Sequence, residues 1–478
     1  MATDPRGLRA DAPLLDAWLA FQERRPTPFT IPGHKQRTDL VGDVVAGDVP
    51  YYGGLDTMKV SRGALSDAQQ RAAQLWGADV CRFSVGGSSH ANQGLMLALG
   101  GQGDRVLVGR TLHRSVLLGL VLAGLTPVWL PTRTDPVTGF PVGVTAQDVA
   151  GGFEDAPEAV AVLIGDPSYV GTLGDVAGAA QVAHAHNVPL VVDAAWAAHF
   201  GFHPDLPAHA LACGADALAT SAHKTLPAIS QGAMVLARTQ RIDPARLDAG
   251  IEATATTSPA GAILASIDAA RALLARDGAA LLGEALALVT WARGRLAEVP
   301  GLMVAGGAAF DPLKLVLLLA GTGADGVAVE ADLLTAGLPV EHADRDTLVA
   351  MITMSDGREA VTVLVDHLIG AIERHRGLAR PVAPAAAWSV VPEQVCSPRE
   401  AFFRRHEVIA TSASVGRVSG ELVAPYPPGV PVLAPGERIT AQALTSLRDA
   451  AAHGTRIAYA ADPTLATLRV LGEAPHTG

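Results

Sequence analysis

The chain has 478 residues, 49% hydrophobic and only 17% charged, with 36 basic against 47 acidic side chains for a formal charge of −11. That length accommodates about three structural units at roughly 150 residues each, and the excess of apolar over charged residues excludes an intrinsically disordered chain. A net negative protein repels phosphate backbones and no basic cluster offsets the charge, so generic nucleic-acid binding is excluded as well. Cys81, Cys213 and Cys396 are odd in number and widely separated, which excludes a disulfide framework or a paired-cysteine metal site and fits a reducing, cytoplasmic setting. Only four lysines occur, Lys35, Lys59, Lys224 and Lys314, so any imine-forming amine comes from that set.

In chain order, the N-terminus carries Asp4, Arg6, Arg9, Asp11 and Asp16 without an apolar run, so no signal peptide is expected. A helix is predicted near Leu14–Glu23, followed by Pro- and Gly-rich loops around 26–33 and 51–54. From Leu75 to about Arg238, short apolar runs at Val106–Val108, Pro127–Leu130, Val160–Ile164, Leu190–Val192 and Met234–Leu236 read as buried strands. Helix candidates lie between them at Asn92–Leu99, Arg114–Ala123 and Val176–His186. This alternation predicts an α/β fold with a mainly parallel sheet covered by helices. Ser115–Thr132 is uncharged and long enough to raise a membrane span, but Gly119, Gly124, Thr126 and Pro127 divide it into a helix and a strand. Long helices are predicted near Gly261–Leu296. Strands at Leu313–Leu319 and Ala350–Thr353, with a helix at Val361–His375, form a smaller α/β unit. A Pro/Ala-rich linker at Pro381–Ala387 then introduces a last unit. The expected division is 1–290, 291–380 and 381–478.

Three local patterns carry chemistry. The first is Ser84–Val85–Gly86–Gly87–Ser88–Ser89–His90–Ala91–Asn92, a Gly/Ser loop leading into a helix, where glycines admit close approach and hydroxyls and unpaired N–H groups favour an anion such as phosphate. An ordinary serine-capped turn is the alternative. The second is Leu190–Val191–Val192–Asp193, an apolar strand ending in a carboxylate; ligands in open α/β sheets bind at such strand ends, and helix capping is the alternative. The third, Thr220–Ser221–Ala222–His223–Lys224, ends another strand-like run with a lysine beside a histidine, an arrangement that lowers an amine's pKa for attack on a carbonyl, unless Lys224 is simply solvated. Together they meet the needs of pyridoxal 5'-phosphate (PLP): a phosphate anchor, an acid for the ring nitrogen and a lysine for the aldehyde. No GxGxxG follows a strand, no GxxxxGK[ST] or GxSxG occurs, and His184, His186, His199 and His203 belong to no HExxH pattern, so no metal is expected.

These patterns, with Phe29–Thr30–Ile31–Pro32–Gly33–His34–Lys35, Leu112–His113–Arg114–Ser115, Asp166–Pro167–Ser168–Tyr169–Val170–Gly171 and Gly416–Arg417 through Glu421 to Pro425–Tyr426–Pro427–Pro428–Gly429–Val430–Pro431, resemble the ornithine/lysine/arginine decarboxylases of the aspartate-aminotransferase fold, and most of all the short Gram-positive type. The resemblance covers nearly the whole chain. It implies PLP fold type I, with Lys224 as the Schiff-base lysine, Asp193 as partner of the pyridine nitrogen and His113 stacked on the ring. Ser88, Ser89, Ser221 and His223 would surround the phosphate, Thr256 and Thr257 would reach the phosphate of a neighbouring subunit, and the resemblance implies at least a homodimer. Trp196 stands near the cofactor where many short members carry histidine. Gly54–Val60 replaces an acidic, Pro-containing stretch of the relatives. The implied reaction is decarboxylation of arginine, lysine or ornithine to a polyamine-type amine, with His223 or Lys224 returning a proton to Cα. Glu421, or else Glu341 or Asp344, would bind the substrate's distal cation, and a surface salt bridge is the alternative for Glu421. Transamination, aldol cleavage, oxidative deamination or a non-catalytic role on the same scaffold are the competing readings.

Overall fold

The computed structural model describes residues 3–24, 29–49, 63–381, 392–426, 430–452 and 455–472. The Gly54–Val60 departure, most of the 381–387 linker and Pro427–Gly429 lie outside the described residues. The chain divides into two compact units, residues 1–98 with 191–283 and residues 99–190 with 284–478.

In the first unit four strands lie in the order Val80–Ser84, Ala233–Ala237, Ala217–Thr220 and Leu190–Asp193. Leu190–Asp193 and Ala217–Thr220 are parallel, with Asp193 opposite Ala219, while Ala233–Ala237 runs antiparallel to both of its neighbours. The last three of these strands are buried along their whole length, as their apolar composition requires. Val80–Ser84 alternates buried Cys81 and Phe83 with partly exposed Val80 and Arg82, a period-two pattern too short to stand out in the sequence. The N-terminal helix spans Pro13–Arg24. It is tied down by Asp268, whose carboxylate accepts from Leu14 N at 2.8 Å and from Arg271, while Arg271 also donates to Asp11 O. Asp268 and Arg271 lie in one continuous helix, Gly261–Ala297, where the sequence predicted several.

In the second unit Val162–Gly165, Arg105–Gly109 and Thr126–Leu130 lie side by side and all parallel. The long uncharged stretch resolves as the helix Arg114–Ala123, closed by Gly124 in left-handed conformation, followed by Thr126–Leu130. Among the described residues no helix is long and apolar enough to cross a membrane. A four-stranded antiparallel sheet holds His342–Ala343, Thr347–Met351, Lys314–Leu318 and Met303–Ala305, with the helix Arg358–Arg374 after it in sequence. Two short ribbons, His406–Ala410 with Thr467–Leu471 and Ala424–Tyr426 with Arg456–Ala458, carry the C-terminal segment.

That segment is locked to the strands before it by a fully buried ion pair. Arg110 forms a two-pronged contact with Glu437, Nη1 to Oε1 at 2.6 Å and Nη2 to Oε2 at 2.8 Å, and both side chains are 0% exposed. Its remaining donors reach the carbonyls of Pro431 (2.9 Å) and Val432 (3.1 Å), and Glu437 also accepts from Ala434 N. Arg399 adds hydrogen bonds to the carbonyls of Val121 and Leu122 at the end of the Arg114–Ala123 helix, and Trp129 donates to Gln394. Removing one partner of such a pair leaves the other charge buried and uncompensated. Glu437→Ala is therefore expected to lower the unfolding free energy by about 3–5 kcal/mol, read by chemical denaturation.

The Asp166–Thr172 loop supplies a pH-dependent contribution. Burial pushes the Asp166 carboxyl up to about 7; the bond from Gly174 N opposes that and the charge of Asp311 adds to it. The folded protein thus keeps a proton that the unfolded chain loses near 3.8. The associated stability is present below about pH 4 and is lost as pH rises through about 7. Asp166→Asn retains an oxygen for Gly174 N but does not titrate. Its stability, measured by denaturation at a series of pH values, is expected to gain on that of the parent between pH 4 and pH 7.

Candidate active site

The first unit brings several sequence-predicted residues together along one sheet edge. Parallel strands end on the same side, so the register that sets Asp193 opposite Ala219 also makes Asp193 and the Ser221–Lys224 run leave the sheet together. The junction is tightened by Ala194 N donating to Ala219 O at 2.8 Å and by the Thr220 hydroxyl donating to Ala194 O at 2.9 Å. Asp193 is buried, and one of its oxygens accepts from Ala195 N at 3.3 Å. Capping is thus present, but on a carboxylate at the strand end rather than on a surface turn.

Lys224 lies in the single helical turn Ala222–Thr225, and its Nζ sits 3.9 Å from the centre of the Trp196 ring. Aromatic faces attract ammonium groups, so Trp196 holds the amine near this edge. Lys224 is only partly exposed, which departs from the solvated-lysine reading. His223 Nδ1 lies 2.9 Å from Gly232 O, and a carbonyl only accepts, so Nδ1 carries the hydrogen and Nε2 is the basic atom. Burial lowers the pKa of His223, Lys224 lowers it further and the Gly232 bond acts in the opposite sense, so the imidazole is neutral at neutral pH.

The Gly/Ser pattern is more helical than expected. The helix starts at Gly87 rather than Asn92 and runs to Leu99, because Gly87, at φ +69°, makes the turn itself and leaves Ser88 and Ser89 in the first helical turn. Ser88 is buried and its hydroxyl hydrogen-bonds the hydroxyl of Ser221, which is fully buried; Ser89 is exposed. Two hydroxyls from different chain segments therefore converge beside a helix start, an arrangement suited to a phosphate. With a buried acid and an amine on the same edge, these residues fit PLP.

Thr256 and Thr257 lie exposed in the loop after the helix Pro244–Thr254, where Thr256 Oγ1 accepts from Ser258 N. A cavity of about 270 Å³ opens there, lined by Val85, Gly86, His90, Gln231, Thr254, Ala255 and Thr256. The sequence assigned no role to His90 or Gln231. Their only signal was that His90 stands inside the Gly/Ser pattern.

Other candidates belong to the second unit. His113 caps the helix Arg114–Ala123, its Nδ1 accepting from Ser115 N at 3.2 Å, and its ring is exposed. Glu341 is exposed and accepts a 3.0 Å hydrogen bond from the Tyr169 hydroxyl; Asp344 accepts from the backbone N–H groups of Asp346 and Thr347. Glu421 is 7% exposed, and its two oxygens accept from Ala461 N at 2.6 Å and Arg469 N at 2.5 Å. The carboxylate thus staples the C-terminal ribbons from inside, which is neither of the arrangements weighed from the sequence.

Comparison with known proteins follows the same lines. The chain is 31% identical over 479 aligned residues to an arginine decarboxylase of Halalkalibacterium halodurans, covering 96% of this chain and 98% of that protein. It is 29% identical to an arginine decarboxylase of Bacillus subtilis, covering 97% and 98%. Among solved structures, lysine decarboxylase A from Pseudomonas aeruginosa superposes with a TM-score of 0.81 at 20% identity, over 96% of this chain and 80% of that one. An SPT structure solved with PLP gives a TM-score of 0.55 at 14% identity, over 77% and 85%. These structural likenesses establish the expected α/β architecture, that of the fold type I PLP enzymes. Residues 12–313 match the model of the Orn/Lys/Arg decarboxylase major domain and residues 383–453 that of the C-terminal domain, and with this agreement over nearly its whole length the chain belongs to the Orn/Lys/Arg decarboxylase family.

Proposed function

We propose that the chain is a PLP-dependent decarboxylase that converts a basic L-amino acid, arginine, lysine or ornithine, into carbon dioxide and the corresponding amine. The observation that carries this reading is the convergence of Asp193, the Ser88–Ser221 hydroxyl pair and the Trp196-held Lys224 in a member of this family. Bound PLP supplies the electron sink for the charge that develops at Cα as carbon dioxide leaves. Ser88, Ser89, Ser221 and His223 would hold its phosphate, Asp193 would keep its ring nitrogen protonated, Lys224 would bind its aldehyde and His113 and Trp196 would serve its ring. His223, once its basic Nε2 has taken up a proton, or Lys224, once its amine is released and protonated, would give the proton that returns to Cα. Glu341 receives the substrate's distal cation.

The same reading extends to organisation. The cofactor unit occupies 1–290, a small α/β unit 291–380 and a C-terminal domain 381–478, and the separate family match at 383–453 supports the last boundary. Thr257 serves a neighbouring subunit in a homodimer, and the enzyme works in the cytoplasm, supplying amines for polyamine synthesis.

Purified protein incubated in turn with arginine, lysine and ornithine is expected to release carbon dioxide and one amine in equal amounts from at least one of them, the amine identified by mass. Stoichiometric ammonia without carbon dioxide would overturn the decarboxylase reading. Lys224→Ala is expected to lose the visible absorbance of lysine-bound PLP, and retention of that absorbance would move the linkage to another residue. His223→Gln is expected to lower kcat by about 10²-fold or more while the cofactor stays bound. If His223 gives the proton, kcat in the parent should fall as pH rises through a pKa below the usual histidine range, because burial favours the neutral form, and that limb should vanish in this variant.

A further inference from the structure

His90 makes two hydrogen bonds that join separate parts of the first unit. Its Nε2 lies 2.9 Å from Ile251 O, so Nε2 carries the hydrogen and Nδ1 is an acceptor. The hydroxyl of Ser84 donates to Nδ1 at 2.7 Å, and Ser84 Oγ in turn accepts from Gly86 N at 3.1 Å. Ile251 stands in the last turn of the helix Pro244–Thr254, where backbone carbonyls have no intrahelical partner, so His90 caps that helix end from outside.

The surrounding packing leaves this imidazole little choice of position. A Cβ at Gly86 would lie 2.7 Å from His90 Cβ, so the loop backbone rests directly on the histidine. One turn further along the helix Gly87–Leu99, a Cβ at Gly94 would lie 2.5 Å from Ile251 Cδ1, and one at Gly250 would lie 2.3 Å from Gly94 O. These two glycines let the helices approach until the ring bridges them. His90 itself is 8% exposed, with both nitrogens engaged.

We infer that His90 is a positioning residue for the phosphate cradle, fixing the Ser84–Ser88 loop against the Pro244–Thr254 helix so that Ser88 meets Ser221. The inference rests on the PLP reading above. It gives one histidine two duties, because the helix end it caps leads straight into Thr256 and Thr257. Loss of the ring cuts the tie to Ser84 at one end and leaves the Ile251 carbonyl without its cap at the other.

The test measures release of PLP from purified holoenzyme, followed by its absorbance during dialysis against a PLP scavenger. His90→Leu is expected to release PLP about tenfold faster or more, with kcat at saturating PLP within about threefold of the parent. In His90→Gln the amide nitrogen reaches the position of Nε2 and can again donate to Ile251 O, so release should return to within about threefold of the parent. Parent-like release from His90→Leu, or release from His90→Gln as fast as from His90→Leu, overturns the inference. Should His90→Leu fail to fold, His90→Asn, whose amide matches the place of Nδ1 but is too short to reach Ile251 O, cuts the bridge at its helix end, and parent-like release from it overturns the inference equally. A parent protein that purifies colourless and takes up no added PLP overturns the cofactor reading itself, and is recognised before any variant is made.

Discussion

The parallel register between Leu190–Asp193 and Ala217–Thr220 is the constraint on which the candidate site depends. Side chains along each strand are committed to the buried faces of the sheet, so groups available for chemistry are those just beyond the strand ends. Asp193 opposite Ala219 sets an acid and the Ser221–Lys224 run on one edge, and the Ala194–Ala219 and Thr220–Ala194 bonds keep the two exits from separating. A slip of one residue would turn every strand side chain to the opposite face and carry Asp193 out of this arrangement.

Elsewhere in each unit the protein relies on polar groups that are buried but satisfied. Asp268 anchors the N-terminal helix, His90 joins a loop to a helix end, and in the second unit Arg110–Glu437 and Glu421 organise the C-terminal segment. The geometry of the Arg110 pair explains why it is tolerated. Three acceptors surround the guanidinium, namely the Glu437 carboxylate and the carbonyls of Pro431 and Val432, so desolvation is offset by hydrogen bonds at fixed directions. An ammonium group could not match that fork.

The parts of the site visible in the sequence were those whose chemistry is local. Asp193 ends an apolar run and Lys224 follows one, and strand ends in an α/β alternation are where ligands bind. The Gly/Ser pattern was legible as an anion loop, but its helical start was not, since Gly87 reads as a breaker until its positive φ shows it making the turn. Glu421 was misjudged for a different reason. Its carboxylate pairs with backbone N–H groups 40 and 48 residues away in sequence, and no side-chain pattern announces a backbone partner. His90 escaped notice because its acceptor is the carbonyl of Ile251, 161 residues on.

By itself the sequence determined the α/β class, the family and the short set of residues able to carry the chemistry, because apolar runs, glycine positions and residue types are local properties of the chain. Only the tertiary structure decided which of those residues share an edge, that Lys224 rests on Trp196, that the Ser88 and Ser221 hydroxyls meet, and that His90 and Glu421 bind backbone groups. The reason is physical. Strand register and helix approach are set by packing between segments far apart in sequence, and hydrogen bonds to the backbone depend on where the acceptor lies, not on which residue bears it.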